Sequence, residues 1–367
     1  MRVLVATVVH DPRDARIYAR EITALIDAGH DVTYIAPFSH FGIPTLPGVH
    51  AVDIPASYGR HRLAGIRGVR RELRNRAGDH DLVLIHCPEI LLSAWDLKHP
   101  CIVWDVHEDT AAAVTLKQWL PQFLRRPVAA ATRKAESWAE RHWHLLLAED
   151  SYADRFVRSH PVVPNSTPVP DEVPLPGDDR VVYVGDITRA RGAQVLVDVA
   201  RIGAARTADA RHPAVTVHLI GRCSEEMMPV VQAAHERGDL VWHGYLPNAE
   251  ALTLIRGATA GLSLLRDEPN YRHSKPTKVM EYFAQGLPVI TTPLPLARSM
   301  IVESGGGIVV PFDDATAVMS AIDQLLDDED QRITMAQAGR EWVRETADWN
   351  RDGPRFVSVL EGWAATS

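Results

Sequence analysis

The sequence predicts an α/β protein with two Rossmann-like domains, and three observations support this fold class. The chain has 367 residues, which is more than one ordinary hydrophobic core requires. Apolar runs of strand length alternate with segments of helical periodicity along the chain, a pattern typical of parallel sheets. Six prolines between residues 161 and 176 interrupt this alternation. We therefore predict two parallel sheets joined by an extended connector.

The individual elements follow from this alternation. In the first half we predict strands at 3–9, 32–36, 82–86, 101–106 and 144–148. An amphipathic helix between the first two strands carries Ile17, Ile22, Leu25 and Ile26, and Gly29 ends it. In the second half we predict strands at 181–184, 215–220, 240–243, 261–265, 289–292 and 307–310. The resulting boundaries are a first domain at 1–165, a proline-rich linker at 166–178 and a second domain at 179–346.

Composition and charge exclude several classes of protein. The net charge of −8 argues against a general nucleic-acid binder. Cys87, Cys101 and Cys223 are widely spaced and odd in number, as expected for reduced thiols in a cytoplasmic protein. No run approaches the roughly 20 apolar residues that span a bilayer. The apolar start is interpreted as a first strand, because charged residues follow it at once.

Several familiar motifs are missing from the sequence. The first strand-to-helix turn, residues 10–16, contains no glycine, so the dinucleotide fingerprint G-x-G-x-x-G is absent. The sequence also lacks a G-x-x-x-x-G-K-[ST] loop and an H-E-x-x-H motif. Asp79-His80-Asp81 matches a metal-binding D-x-D pattern, but it precedes a strand instead of following one. We interpret it as a solvated turn and predict no metal site.

The densest polar signal lies at residues 269–290, where a loop leads into a helix with Pro276 in its first turn. The free N–H groups and the dipole at a helix N-terminus favour a phosphate. Lys278 gains nothing from that dipole, so we expect it to face a bound diphosphate. Thr277 and Glu281 share one helical face, and Glu281 is placed to accept the hydroxyls of a ribose. The alternative is a plain amphipathic helix with a Lys278–Glu281 surface pair.

This helix and the strand after it resemble the donor site of bacterial GT-B glycosyltransferases, family 4, also called glycosyl transferases group 1. The shared pattern is Pro276-Thr277-Lys278-x-x-Glu281-Tyr282-x-Ala284-x-Gly286-x-Pro288-Val289. Further segments resemble the family's turns around the donor diphosphate and the nucleobase: Val184-Gly185-Asp186 with Arg191-Gly192, Ile220-Gly221-Arg222, and His243-Gly244-Tyr245-Leu246. In the first domain the similar segments are Asp14-x-Arg16-Ile17, His86-Cys87-Pro88-Glu89-Ile90-Leu91-Leu92 and Asp105-Val106-His107-Glu108-Asp109.

The resemblance implies a GT-B enzyme whose two Rossmann-like domains face each other across a cleft. It implies a retaining transfer of sugar from a nucleotide-diphosphate donor, such as a UDP sugar, with no cofactor and no obligatory metal. The acceptor would be a cell-surface glycan, a lipid-linked intermediate or a secondary metabolite. The last helix, at about 347–367, would pack back on the first domain.

The resemblance also assigns candidate site residues. The expected catalytic groups are His107, Arg191 and Lys278, although His107 could instead be satisfied structurally by Asp105 or Glu108. The expected donor-binding residues are Glu281, Thr277, Ser274, His273, Gly185, Arg189, Arg222, Tyr245 and Leu246. The expected acceptor-side residues are Asp14, Arg16, His86, Glu89 and Glu108.

Two positions depart from the family pattern. His273 stands where the family usually has the first of two acidic residues, eight positions before Glu281. Asp186 stands where a basic residue is frequent, which leaves Arg189 or Arg191 to bind phosphate.

The sequence also leaves two alternative functions open and contains one strongly basic segment. The same architecture could serve a nucleotide-sugar 2-epimerase or a non-catalytic nucleotide-sugar binding module. Residues 60–76 carry seven arginines beside an apolar stripe, which is either a solvated helix face or a contact with anionic membrane. The protein is therefore expected to be cytoplasmic, with a peripheral membrane contact as an alternative to free solution.

Overall fold

A computed structural model describes residues 1–59, 62–107, 122–177, 179–206, 215–269, 271–272 and 274–366. It divides the chain into two compact units, residues 1–165 with 351–367 and residues 166–350. Within the described residues, each unit contains one parallel six-stranded sheet flanked by helices. The prediction of an α/β protein with two Rossmann-like units is confirmed.

The first unit is built on a sheet in the strand order β3-β2-β1-β4-β5-β6. Its strands are β1 (Arg2–Ala6), β2 (Asp31–Ala36), β3 (Val49–Asp53), β4 (Leu82–Ile85), β5 (Ile102–Val106) and β6 (His144–Leu147). Its helices are a π-helical turn (Ile17–Ile22), α1 (Thr23–Asp27), α2 (Arg62–Arg76), α3 (Pro88–Ala94) and α4 (Gln122–His142). Short 3-10 turns occur at Ser39–Phe41, Ala77–Asp79 and Asp150–Arg155.

The second unit repeats this plan, with strand order β12-β11-β10-β7-β8-β9. Its strands are β7 (Arg180–Val184), β8 (Thr216–Ile220), β9 (Leu240–Trp242), β10 (Ala260–Ser263), β11 (Val289–Thr291) and β12 (Gly307–Val309). A 3-10 turn (Arg189–Arg191) precedes α5 (Ala193–Ala204), α6 (Met228–Glu236), α7 (Asn248–Leu254), α8 (Thr277–Ala284), α9 (Pro295–Ser304), α10 (Ala315–Asp327) and α11 (Glu329–Thr346). The last helix is α12 (Trp349–Thr366).

The strand order places the candidate site residues. In both sheets the first strand of the unit lies beside the fourth, so the direction of winding reverses between β1 and β4 and again between β7 and β10. Ligands of doubly wound sheets bind at the carboxyl ends of the strands beside such a reversal. His86 follows β4, and Gly185 follows β7. These sequence motifs therefore lie at the carboxyl ends of the strands, where this topology favours ligands.

One strand and one segment differ from the sequence-based description. The edge strand β3 was not predicted, because its half-exposed residues form no apolar run. The described part of the linker predicted at 166–178 contains no helix and no named strand, and it is grouped with the second unit. Val169 N donates to Asp348 Oδ1 over 3.2 Å, and Asn350 Nδ2 donates to Val169 O over 2.8 Å.

The end of α12 lies against the first unit. His30 Nε2 is 3.1 Å from Glu361 Oε1, and the rings of His144 and Trp363 stack with centroids 4.6 Å apart. Residues 351–367 consequently belong to the same unit as residues 1–165.

Candidate functional site

A buried lysine marks the candidate site of the second unit. Lys278 lies in the first turn of α8, and only 8% of its surface is exposed. Its Nζ donates to Tyr183 Oη over 3.3 Å and lies 4.5 Å from the centroid of that ring. A buried ammonium without a carboxylate contact is costly, and it becomes favourable when an anion arrives.

A second cation lies close to Lys278, across a glycine. A Cβ atom placed on Gly185 would be 3.4 Å from Lys278 Nζ and 3.5 Å from Arg191 Nη1. Gly185 also has a φ of +127°, which a side chain would strain. Arg191 Nη1 is 3.6 Å from Asp186 Oδ2, so Arg191 is only partly neutralised. Two cations therefore converge on bare backbone, an arrangement suited to a diphosphate.

The electrostatics of this pair favour anion binding. Burial, together with the nearby charge of Arg191, lowers the pKa of Lys278 to about 7. A bound diphosphate would oppose both effects by supplying negative charge. Binding of an anion should therefore be accompanied by proton uptake at Lys278.

The position of α8 is fixed by Tyr282, one turn after Lys278. Its hydroxyl donates to Leu262 O over 3.1 Å and accepts from Val184 N over 2.8 Å, which ties the helix to β10 and β7. The ring lies on Gly261, where a Cβ atom would be 2.2 Å from Tyr282 Cγ. The helix can approach the sheet this closely only because the strand carries a glycine.

The remaining predicted donor residues surround this core. Glu281, one turn behind Lys278, accepts from Asn248 Nδ2 over 3.2 Å. The Arg222 guanidinium lies 4.4 Å from the centroid of the Tyr245 ring. The exposed side chain of Arg189 forms an ion pair with Glu226. Arg191, and not Arg189, is therefore the basic residue that the structure brings to Lys278.

Three predicted donor residues are partly or fully exposed, and one cannot be placed. Ser274 is exposed in the loop before α8, and Thr277 is half-buried at its first position. Leu246 is half-buried and packs against the cluster that contains Val279 and Tyr282. His273 lies outside the described residues.

In the first unit, the predicted residue His107 is bound to a buried carboxylate. His107 Nδ1 is 3.0 Å from Asp105 Oδ2, as in the structural alternative for this histidine. Arg16 donates to both oxygens of Asp105, from Nε over 2.8 Å and from Nη2 over 2.7 Å. His86 Nδ1 is 3.3 Å from the same Oδ2 atom. Asp105 thus orients His107 while it is itself held by Arg16.

Arg16 contacts both buried carboxylates of this cluster. Burial alone would raise the pKa of Asp105, but Arg16 and its hydrogen bonds hold that pKa well below its usual range. Burial, reinforced by Asp105, raises the pKa of Glu21, whose Oε1 is 3.0 Å from Arg16 Nε. The cluster therefore favours the anionic form of Asp105 and disfavours the charged form of Glu21.

A cavity opens beside His107 within the first unit. It has a volume of about 200 Å³, and its polar lining includes His10, Tyr58, Arg62 and Glu89. His10, which the sequence analysis did not single out, lies with its Nε2 3.4 Å from His107 Nε2. The signal for His10 was available only in three dimensions, because 97 positions separate the two histidines.

The predicted acceptor-side residues play different structural roles. Asp14 Oδ1 accepts from the backbone N–H groups of Arg16 and Ile17 over 2.9 and 3.0 Å, which caps the first turn after β1. Arg16 and His86 are buried in the Asp105 cluster. Glu89 lines the cavity, and Glu108 lies outside the described residues.

Three side chains in the described part of the first unit could together hold a cation. His86, Asp105 and His107 each offer a ligand atom, and these atoms lie within 4.8 Å of one another. However, the Arg16 guanidinium already donates to both oxygens of Asp105. We therefore interpret the group as a hydrogen-bonded ion-pair network. Asp81, from the D-x-D pattern, accepts from Arg2 N over 2.7 Å at the amino-terminal end of the strands, away from this group.

Four arginines of the arginine-rich helix α2 share two nearby acids, so the helix keeps a positive charge. Glu72 pairs with Arg71 and Arg76, with distances of 2.9 and 3.0 Å. Asp96 pairs with Arg70 and Arg74. Arg67 is exposed, as is Leu63 with 64% of its surface accessible. Arg60 lies outside the described residues.

Comparison with known proteins agrees with this architecture. Residues 178–328 match the family model described as Glycosyl transferases group 1. The chain is 26% identical over 359 residues to the phosphatidyl-myo-inositol mannosyltransferase of Mycolicibacterium smegmatis. That alignment covers 92% of this chain and 86% of the relative.

Solved structures of glycosyltransferases share the fold. Sucrose-phosphate synthase from Thermosynechococcus elongatus superposes with a TM-score of 0.71 at 17% identity, over 100% of this chain and 99% of that one. HepE from Anabaena in complex with UDP-glucose superposes with a TM-score of 0.67 at 13% identity, over 99% of this chain and 100% of that one. Among the described helices, none has the length and apolar character needed to cross a bilayer.

Proposed function

We propose that this chain, which has the GT-B fold, is a glycosyltransferase of the group 1 family that transfers a sugar, with retention of configuration, from a nucleotide-diphosphate donor to a hydroxyl-bearing acceptor. The observation that carries the proposal is the convergence of Lys278 and Arg191 on Gly185, at the winding reversal of the second sheet. Two cations can stabilise the charge that develops on a leaving diphosphate as the bond to the sugar breaks.

The other residues of the second unit complete the donor site in this proposal. Glu281 accepts the hydroxyls of the ribose, and Arg222 with Tyr245 offers a flat surface to the nucleobase. The cations take over the electrostatic role that a divalent metal plays in other transferases. Transfer would therefore need no metal ion.

The first unit binds the acceptor in this proposal. The cavity beside His107 has a polar lining with both a cation, Arg62, and an anion, Glu89, which suits an acceptor rich in hydroxyl groups. His107, oriented by Asp105, would place the sugar for attack. The Mycolicibacterium relative is named for a phosphatidylinositol acceptor. We accordingly include inositol lipids among the acceptors to be tested.

A peripheral membrane contact would fit a lipid-linked acceptor. The exposed residues Leu63 and Arg67 of α2 could enter an anionic lipid surface together. The arginines paired with Glu72 and Asp96 would add less, since their charge is partly balanced by these two acids.

Binding measurements test the donor site. UDP, GDP and ADP are titrated by calorimetry into the wild type, Lys278→Ala and Arg191→Ala. Each charge-assisted phosphate contact is worth about 1.5–3 kcal/mol, so each variant should weaken binding by about ten- to a hundredfold. Lys134→Ala, which removes an exposed lysine of the first unit, is the matched control and should bind like the wild type. Equal affinities in all four proteins would overturn the assignment.

A further inference from the structure

A second imidazole lies beside His107 and was not among the predicted site residues. His10 follows β1, and its ring centroid is 5.1 Å from that of His107. Its Nε2 is 3.4 Å from His107 Nε2. On the other side of its ring, His10 Nδ1 is 2.7 Å from Thr7 Oγ1. Thr7 is fully buried, so the outer end of this chain of contacts is fixed.

For a neutral His107, the contacts determine where the protons lie. Asp105 is anionic and accepts at Oδ2, so His107 must carry a proton on Nδ1. A neutral His107 then has a lone pair on Nε2, which requires a donor from His10 Nε2. His10 Nδ1 is left with a lone pair, and the Thr7 hydroxyl donates to it. One directed chain of hydrogen bonds therefore runs from Thr7 through His10 and His107 to Asp105.

We propose that His10 is a positioning residue for glycosyl transfer, which fixes the ring and the tautomer of His107 through the Nε2–Nε2 hydrogen bond. The inference rests on the proposed function, because it assumes that His107 acts on the transferred sugar. It adds a residue of the segment after β1 to a site whose other members, His86 and His107, follow β4 and β5. Asp105 and His10 thus contact His107 at its two ring nitrogens.

The surroundings of His10 support a neutral donor. Burial is the main cause that lowers the pKa of His10 to about 4, so His10 carries no charge near neutral pH. A neutral His10 donates to His107 without introducing a cation beside it. Loss of His10 would remove the contact at His107 Nε2 and so weaken the orientation of that ring. Misplacement of a catalytic group by about 1 Å can cost about a hundredfold in rate.

Two substitutions separate positioning from packing. His10→Leu fills the space of the imidazole with an apolar side chain and removes the hydrogen bonds to Thr7 and to His107. His10→Gln retains an amide N–H that can reach His107 Nε2. The assay measures release of nucleoside diphosphate from UDP-glucose and from GDP-mannose by the full chain. We expect kcat of His10→Leu to fall by about ten- to a hundredfold, while KM for the donor changes less than about twofold. His10→Gln should recover most of the lost kcat. An unchanged kcat in His10→Leu, or no recovery in His10→Gln, overturns the proposal.

A spectroscopic measurement tests the same inference without turnover. Nitrogen-15 NMR of the imidazole groups should show His10 protonated at Nε2 and His107 protonated at Nδ1. Thr7→Val removes the outer donor and should shift the His10 signals while His107 stays protonated at Nδ1. A wild-type His10 protonated at Nδ1 overturns the proposal. If the wild type cleaves neither donor, the result contradicts the proposed function. The NMR measurement of the tautomers still tests whether His10 orients His107.

Discussion

Lys278 is an ammonium group buried in the first turn of a helix, where neither the dipole nor a carboxylate contact stabilises its charge. Its lowered pKa of about 7 follows from burial and from Arg191. The unliganded protein therefore holds a poorly stabilised lysine at the place where the donor diphosphate is expected. Part of the binding free energy of the donor would come from relief of this electrostatic cost.

The first prediction is that affinity for the preferred nucleoside diphosphate falls as the pH rises from about 7 to 9. Above a pKa of about 7 the free protein must take up a proton before Lys278 can contact phosphate, so affinity decreases with each further pH unit. Calorimetry in buffers of different ionisation enthalpy measures both the affinity and the proton uptake.

Lys278→Arg provides the matched comparison for this pH dependence. An arginine remains charged over the whole range, so the slope and the proton uptake should disappear even if affinity is reduced. A wild type that binds equally well at both ends of the range, without proton uptake, would contradict the assignment.

For single residues, the sequence identified the charged groups of the candidate site more readily than the residues that contact them. Lys278 and Glu281 were recognisable because a helix start and a family pattern coincide there. Arg191 was predicted as a catalytic group and Arg189 as a donor-binding residue, but the structure pairs Arg189 with Glu226. The Tyr183 contact to Lys278 spans 95 positions and has no local signature.

Among the elements, α8 and β10 determine how well the donor site is held. The Tyr282 ring fills the space above Gly261, and its hydroxyl satisfies Val184 N at the end of β7. Because Lys278 and Tyr282 are one turn apart on the same helix, displacement of the ring would also displace the lysine.

The second prediction is that Gly261→Ala destabilises the protein and weakens nucleotide binding together. The added methyl group would lie 2.2 Å from Tyr282 Cγ, and overpacking of this kind costs about 1–3 kcal/mol of the free energy of unfolding. Thermal unfolding and calorimetric titration measure the two effects. Gly78→Ala adds a methyl group with no atom within 4 Å and should change neither. A Gly261→Ala variant as stable as the wild type would contradict this prediction, because Tyr282 and α8 would then shift without a loss of stability.

The third prediction concerns helix α2. Arg67→Ser should weaken sedimentation with vesicles of acidic phospholipid by more than Arg71→Ser does. Each arginine near an anionic surface contributes about 1 kcal/mol, but Arg71 already pairs with Glu72. Neutral vesicles give the background. Equal effects of the two substitutions, or no binding by the wild type, would remove α2 as a membrane contact.

Every described strand was predicted except the edge strand β3. Apolar runs identified the inner strands, such as β4 and β10, because helices on both faces leave little room for polar residues. Edge strand β3 has no such run. Its pairing with β2 depends on contacts that only the folded sheet provides.

For the whole molecule, one sheet topology carries two different polar clusters. Both units have the same strand order, and each carries its polar cluster beside the reversal of winding. The second unit brings two cations together, whereas the first gathers histidines and a buried carboxylate beside a polar cavity. The two sheets were predicted from the alternation of strands and helices, but the partners within each cluster were not.

The fourth prediction is that turnover persists in excess chelator. Lys278 and Arg191 supply positive charge at the diphosphate, and Arg16 occupies the carboxylate of the His86–Asp105–His107 group. Rates are compared with and without chelator, and then after addition of magnesium or manganese. Complete loss with chelator, restored by metal, would contradict this prediction.

Phosphorus-31 NMR of a donor incubated with the protein tests the central claim most directly. UDP-glucose and GDP-mannose are each followed with and without inositol lipids and other hydroxyl-bearing acceptors, using wild type and Lys278→Ala. We predict that the wild type converts one donor to its nucleoside diphosphate, faster with a suitable acceptor, and that Lys278→Ala slows this by about ten- to a hundredfold. Conversion of the donor to another nucleotide sugar without acceptor would indicate an epimerase. A donor that binds but stays intact with every acceptor would contradict glycosyl transfer.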